Sequence, residues 1–280
     1  MDLLQKILEC KEEEVDSIVQ TAIDEANANA TKVEYLGFNN GLSSKPFKGF
    51  IPLETRIRFS NLGPESYGMQ TTDFIFEFSY WAREKQINNK GALLSSLVNF
   101  CDHYFGWPDS KKSREDFFDA KLQTAKNEEE YWAILENSKL GDFKGKKVAM
   151  CTERGALVQQ ILSVFGTESY YCMGCCDKSN QDAHCFNVVK GKDNFAVFDC
   201  SMPVTKYKED GSVRGYYPFV GILTNEEFSD FLEKGMIKSF DDYDLIKSNQ
   251  QKKIGTRKYV VGQIEIKKEI VNDNETKTSA

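Results

Sequence analysis

The sequence predicts an α+β protein in which one helix packs on an antiparallel sheet, preceded by a mostly helical N-terminal region. Three observations carry this. Apolar residues recur at helical spacing through much of the stretch up to Asn137. One further helical pattern starts at Cys151 and stops at Gly166. Three short strand-like segments then follow closely: Ser169 to Met173, Ala183 to Val189, and Phe195 to Asp199.

Taken in order, Leu4, Leu8, Val15, Ile18, Val19, Ala22 and Ala26 predict one opening amphipathic helix. Between Thr31 and Ser79, segments such as Arg56-Ile57-Arg58-Phe59 and Phe74-Ile75-Phe76-Glu77-Phe78, broken by Gly, Pro and Asn, read as strands joined by loops. Leu93, Leu94, Leu97, Val98 and Cys101 predict a second helix, closed by Gly106-Trp107-Pro108. Residues Ser113 to Asn137 predict one or two more, with Phe117, Phe118, Leu122, Tyr131, Trp132, Ile134 and Leu135 as their apolar side. A polar connection from Gly141 leads through Val148-Ala149-Met150 into the helix at Cys151, about four turns long, with Ala156, Leu157, Gln160, Ile161, Val164 and Phe165 on one face. Thr224 and Glu227 form a capping-box pattern for a helix that ends near Gly235. A last strand is expected within Lys258 to Ile266, followed by a polar tail from Lys267. The division is therefore 1–140 as an N-terminal subdomain, 141–266 as the core and 267–280 as the tail.

The 280 residues, 40% of them hydrophobic, suffice for a substantial core. A formal charge of −7 argues against nucleic acid or an anionic membrane as the main partner, because neither gains from a negative protein. No stretch approaches the roughly 18 apolar residues of a membrane span, and the first residues lack a signal peptide's apolar run. Eight cysteines, three of them crowded at Cys172, Cys175 and Cys176, do not form a regular disulfide framework. Reduced thiols and a cytoplasmic location are the expectation.

Only two histidines are present, so few thiol–base constellations exist to weigh. A thiol at the start of a helix faces unpaired N–H groups and the positive end of the helix dipole, both favouring thiolate. The same donors would stabilise the oxyanion of a tetrahedral intermediate. Cys151 holds that position. If Gly191-Lys192 is a two-residue turn, antiparallel register sets His184 opposite Asp199; a four-residue loop from Gly191 to Asn194 sets Asp199 opposite Phe186 and diagonal to His184, on the same face. Either register lets the carboxylate orient the imidazole. His103, beside Cys101 and Asp102, has no comparable frame and reads as structural or superficial.

Cys151-Thr152-Glu153-Arg154-Gly155-Ala156, Gly166, His184-Cys185-Phe186-Asn187 and Phe198-Asp199 resemble the core of the transglutaminase-like superfamily of the papain-like fold. The likeness covers roughly residues 145 to 205. It departs from the family pattern at Cys185 and Phe186, where Ala and Trp are frequent, and at Gly155, where Ala is common. The resemblance implies Cys151 as nucleophile, His184 as base and Asp199 as orienting carboxylate. It implies an acyl-transfer enzyme acting on peptide or side-chain amides through a thioester, as a protease, amidase, deamidase or transglutaminase. The expected partners are a protein or peptide substrate and, for transfer, an amine acceptor. Neither cofactor nor metal is needed.

Two rival readings stand beside it. Cys172 and Cys175 form a CxxC pair that His184, Cys185 and Cys200 could complete as a zinc site, although adjacent strand residues point to opposite faces. A catalytically silent module would instead use the N-terminal half to bind a protein. Trp81, Trp107 and Trp132 read as core packing, Gln159 and Gln160 as facing solvent or a strand. Tyr207 to Phe219 reads as a flap or a surface connection.

Overall fold

The computed structural model describes residues 2–37, 45–58, 66–69, 73–107, 111–177, 183–208, 210, 212–246 and 250–261. The expected tail, the end of the last strand at 262–266, and the side chains of Cys175 and Cys176 lie outside the described part. Helices and antiparallel sheet are both present, as an α+β chain requires.

The opening helix is two helices, α1 (Leu3–Glu9) and α2 (Val15–Ala28). The single helix expected there is interrupted by Cys10 and Lys11, which are extended. Arg83 donates to the carbonyls of Ile7 and Cys10, taking over the open end of α1, and the Glu14 carboxylate accepts from the Lys11 N–H. Short strands β1 (Tyr35–Leu36), β2 (Phe47–Lys48), β3 (Arg56–Arg58) and β4 (Ser66–Gly68) follow. Of these, β1, β3 and β4 make a small sheet.

The segment from Phe74 to Phe78, expected as a strand, lies in helix α3 (Asp73–Glu84). Phe74, Ile75, Phe78 and Ala82 are wholly buried, a helical spacing that the local Phe-Ile-Phe-Glu-Phe alternation conceals. Helices α4 (Lys90–Phe105), α5 (Lys111–Leu122) and α6 (Glu128–Glu136) complete the N-terminal half. Asn89 and Asn127 cap α4 and α6 by accepting from Ala92 N and Glu130 N. Gly106, at φ +75°, ends α4 in a conformation that favours glycine.

Helix α7 (Cys151–Val164) is buried nearly all round, not on one face. It lies between α2, α3 and α4 on one side and the sheet on the other. Its polar side chains are therefore inside, each with partners. Gln160 accepts from Ile51 N and donates to Ile51 O, acting as a strand neighbour to that backbone. Gln159 donates to Gly49 O and Ser169 O and accepts from Asn187. Neither faces solvent.

The main sheet contains β5 (Ser169–Asp177), β6 (Ala183–Lys190), β7 (Phe195–Phe198), β10 (Phe219–Leu223), β11 (Met236–Ile246) and β12 (Gln250–Val261), in the order β10-β7-β6-β5-β12-β11. Between β7 and β10, β8 (Val204–Tyr207) and β9 (Val213–Tyr217) form a separate hairpin, so the segment read as flap or connection is partly strand. Every pairing in the main sheet is antiparallel. β2, from the N-terminal half, pairs with β5 at Tyr170 and Tyr171, while β12 pairs with β5 at its other end. Helix α8 (Asn225–Lys234) carries the expected box, with Glu227 N donating to Thr224 Oγ1 and Thr224 N donating to the Glu227 carboxylate. Phe228 and Phe231 of α8 join Tyr170, Phe186, Val188 and Tyr259 in a second core. Cys185 and Val189, the alternate residues of β6, belong to the first core with α7.

Among the described residues, no helix is long and apolar enough to cross a membrane.

Candidate active site

The hairpin between β6 and β7 has a four-residue loop, with Lys190 paired to Phe195 and Asn187 to Phe198. Continued outward, this register sets Asp199 diagonal to His184, the second of the two alternatives. The diagonal is closed by side chains: His184 Nε2 lies 2.7 Å from Asp199 Oδ2. Both residues are buried, and the imidazole stacks at 6.2 Å on Phe186 of the same strand.

Asp199 leaves the sheet just after β7, its N–H donating to Pro218 O. Its Oδ1 accepts from Ser201 N, Ser201 Oγ and Met202 N. Its Oδ2 accepts from the Tyr259 hydroxyl at 3.1 Å as well as facing His184. Burial alone would favour the neutral acid, but the charge and hydrogen bond of His184, with the backbone of Met202 and the hydroxyl of Ser201, hold the carboxyl far below its usual range.

With Nε2 engaged by Asp199, the other ring nitrogen of His184 is left for the sulfur. Burial opposes charge on the imidazole. Asp199 and the Cys151 sulfur outweigh it and raise the imidazolium well above its ordinary value. The Cys151 thiol is held well below its ordinary value, first by a hydrogen bond with the Cys185 thiol and then by His184, against the cost of burial. Cys185, buried and beside Cys151, is pushed well up by desolvation and by the neighbouring sulfur. The electrostatics thus favour a Cys151 thiolate facing a protonated His184, with Cys185 keeping its proton. The Cys185 sulfur is also 3.6 Å from Thr152 Oγ1, and the same oxygen is 4.0 Å from the Cys151 sulfur.

The helix start is fixed from outside. Met150, at the N-cap position, has no side chain that accepts a hydrogen bond from the first turn. The first N–H groups of a helix have no partner within it. The Met150 N–H itself is taken by the buried Glu153 carboxylate, which also receives two hydrogen bonds from Arg114. Arg154 is 1% exposed; it pairs with Asp102, donates to Gly106 O and lies 5.2 Å under the Trp107 ring. Asn187 donates to Gly155 O, joining β6 to α7 two residues from Cys185.

Trp107 is exposed and touches Tyr216 of β9, and Trp132 is exposed as well; only Trp81, against Phe78 and Phe100, packs on the core as expected for all three. His103 is on the surface.

The described cysteines are all free thiols. Among the described residues, no group of three or more His, Cys, Asp or Glu side chains could hold a metal ion. Cys101 of α4 hydrogen-bonds Cys200, and burial with that neighbour raises the Cys200 thiol.

The sequence analysis singled out Cys151, His184 and Asp199, and the fold brings the three together. It missed Tyr259 and the pairing of Cys185 with Cys151. Period-two alternation along β6 already sets Cys185 on the face opposite His184, toward α7; nothing local marks Tyr259. No family model, curated protein or solved structure matches this chain, so the reading of the site rests on its own geometry.

Proposed function

We propose that this protein is a cysteine-dependent acyl-transfer enzyme with a transglutaminase-like, papain-like core, acting on peptide or side-chain amides through Cys151, His184 and Asp199. The observation that carries the reading is the buried 2.7 Å contact of His184 Nε2 with Asp199, which leaves the other imidazole nitrogen for a depressed thiol at a helix start.

In the first half-reaction the Cys151 thiolate attacks the amide carbonyl. Negative charge gathers on the carbonyl oxygen and meets the open N–H groups of the first turn of α7. Collapse breaks the C–N bond, His184 gives its proton to the departing amine, and a thioester remains. Asp199 holds the ring and stabilises its charged form throughout. In the second half-reaction water or a primary amine gives its proton to His184 and attacks the thioester, which restores the thiolate and the imidazolium. Water makes the outcome proteolysis or deamidation; an amine makes it transfer.

The test is incubation with glutamine-containing and backbone-amide peptides, with and without a primary amine, followed by acid quench and intact-mass measurement. An acyl adduct that maps to Cys151 and vanishes in Cys151→Ala supports the reading. Turnover that survives Cys151→Ala sinks it, and a Cys151 inert to both substrates and alkylating reagents leaves a silent binding module.

A further inference from the structure

Cys185 is the neighbour of Cys151 that forms no bond to substrate in acyl transfer. Its sulfur and the Cys151 sulfur both contact the Thr152 hydroxyl, at 3.6 and 4.0 Å. The backbone around the two cysteines is drawn together. A Cβ on Gly155, one turn after Cys151, would lie 3.0 Å from the Tyr171 ring, so α7 sits at the closest approach to the sheet that a side-chain-free position permits. Asn187, two residues from Cys185, ties to the carbonyl of that same Gly155 at 3.1 Å. Helix and strand are therefore clamped beside both sulfurs.

We propose that Cys151 and Cys185 form a modification site: a dithiol that hydrogen peroxide converts into a disulfide, capping the nucleophile reversibly. The two thiols differ in the way such a pair needs. Cys151 is half-buried, whereas Cys185 is 1% exposed. A peroxide therefore meets Cys151 first, and the thiolate is the reacting form. The thiolate attacks one peroxide oxygen; the S–O bond forms, the O–O bond breaks, and the departing hydroxide takes a proton from His184 to become water. Cys151 is then a sulfenic acid. The Cys185 sulfur attacks the Cys151 sulfur; the S–S bond forms, the S–O bond breaks, and the hydroxide leaves with the Cys185 proton as a second water. Two thiols lose two electrons and one peroxide gains them. With the second thiol at the same Thr152 hydroxyl, this step needs no second peroxide, whereas overoxidation does.

The other described thiol pair shows what the site requires. Cys101 and Cys200 are hydrogen-bonded, but both are buried. In the strand pattern that the chain resembles, Ala stands at position 185, which would keep the triad and remove the second thiol.

The proposal rests on the acyl-transfer reading only for its effect on activity, so the cross-link is read by mass. The full chain is treated with hydrogen peroxide, blocked with N-ethylmaleimide and digested without reduction. The expected result is a peptide joining Cys151 to Cys185, lighter by two hydrogens than the separate thiol peptides, and released by dithiothreitol. In Cys185→Ala or Cys185→Ser, Cys151 should instead advance to sulfinic acid that dithiothreitol does not reverse. Cys151 sulfinic acid in the unaltered protein, or a cross-link from either cysteine to another residue, overturns the proposal without any variant having to fold. The joined peptide in a protein without turnover keeps the modification site and removes the enzyme reading. Turnover without the joined peptide does the reverse.

Discussion

The Tyr259 hydroxyl donates to Asp199 across 60 residues of chain, and it does so to the same carboxylate oxygen that faces His184. One carboxylate oxygen thus serves both the His184 ring and a residue of β12. Its donation spreads the carboxylate charge and tempers the pull of Asp199 on the imidazolium.

Tyr259→Phe should therefore raise the His184 pKa further, and destabilise the fold by about 1–3 kcal/mol through loss of a hydrogen bond to a charged group. With two histidines in the chain, an NMR titration reads the first effect directly. A His184 pKa that falls in the variant contradicts the assignment.

The paired shifts of Cys151 and His184 define a working window. The thiol is depressed, so the thiolate persists below the ordinary thiol value of about 8.5; the imidazole is raised, so its charge persists above about 6.5. Alkylation of Cys151 at mildly acidic pH should be fast, and should fall about tenfold or more in His184→Ala. Cys185→Ala should also weaken the thiolate, since the Cys185 thiol is one of the groups that hold the Cys151 value down. Peptide-mapped alkylation rates across pH 5 to 9 check both.

Stability should follow the same groups. Asp199 is depressed in the folded protein, so its contribution is present above the unfolded carboxyl value of about 3.9 and is lost as pH falls through the lower folded value. His184 is raised, so its contribution is full below about 6.5 and is lost as pH rises through the higher folded value. Asp199→Asn should flatten the acid side of a plot of melting temperature against pH and remove the gain from a charged His184. Calorimetry or a dye-based melt reads this.

Gly155→Ala puts a methyl group 3.0 Å from the Tyr171 ring, too close unless the helix or ring gives way by a few tenths of an ångström. The expected cost is about 1–3 kcal/mol. Because the shift occurs one turn from Cys151, cross-linking by peroxide should drop more than stability does. Equal losses of both would show the glycine to be merely structural.

Arg114 makes two hydrogen bonds to the wholly buried Glu153 carboxylate, which in turn holds the Met150 N–H. Arg114→Met strands that charge and should cost about 3–5 kcal/mol. Arg114→Met combined with Glu153→Gln should recover part of the loss in denaturant unfolding, which a simple packing role for Arg114 does not predict.

The nucleophile helix and its strands are legible because each signal is local: the helical pattern begins at Cys151, Gly166 closes it with φ +70°, and strand parity keeps His184 and Asp199 on one face. What escapes notice is set by distant partners. The break between α1 and α2 depends on Arg83 of another helix. Phe74 to Phe78 fits both a strand and a helix until burial of Ala82 selects the longer period. β11 is assigned no element from sequence: its 11 residues hold three aspartates, and its pairing is supplied by β12. Tyr259 cannot be assigned to the site without knowing that β12 pairs with β5, a pairing no turn length between them dictates.

That β12 joins β5 from the far end of the chain also orders events during synthesis. The nucleophile helix and the His184 strand leave the ribosome well before residue 259, and the edge of β5 that β12 will occupy stays open until then. A nascent or C-terminally clipped chain carries the thiol, the imidazole and Asp199, but lacks the hydroxyl that tempers the carboxylate. The contact of Asp199 with Tyr259 therefore forms only once residue 259 is made, and a chain cut just before β12 leaves that edge of β5 unpaired.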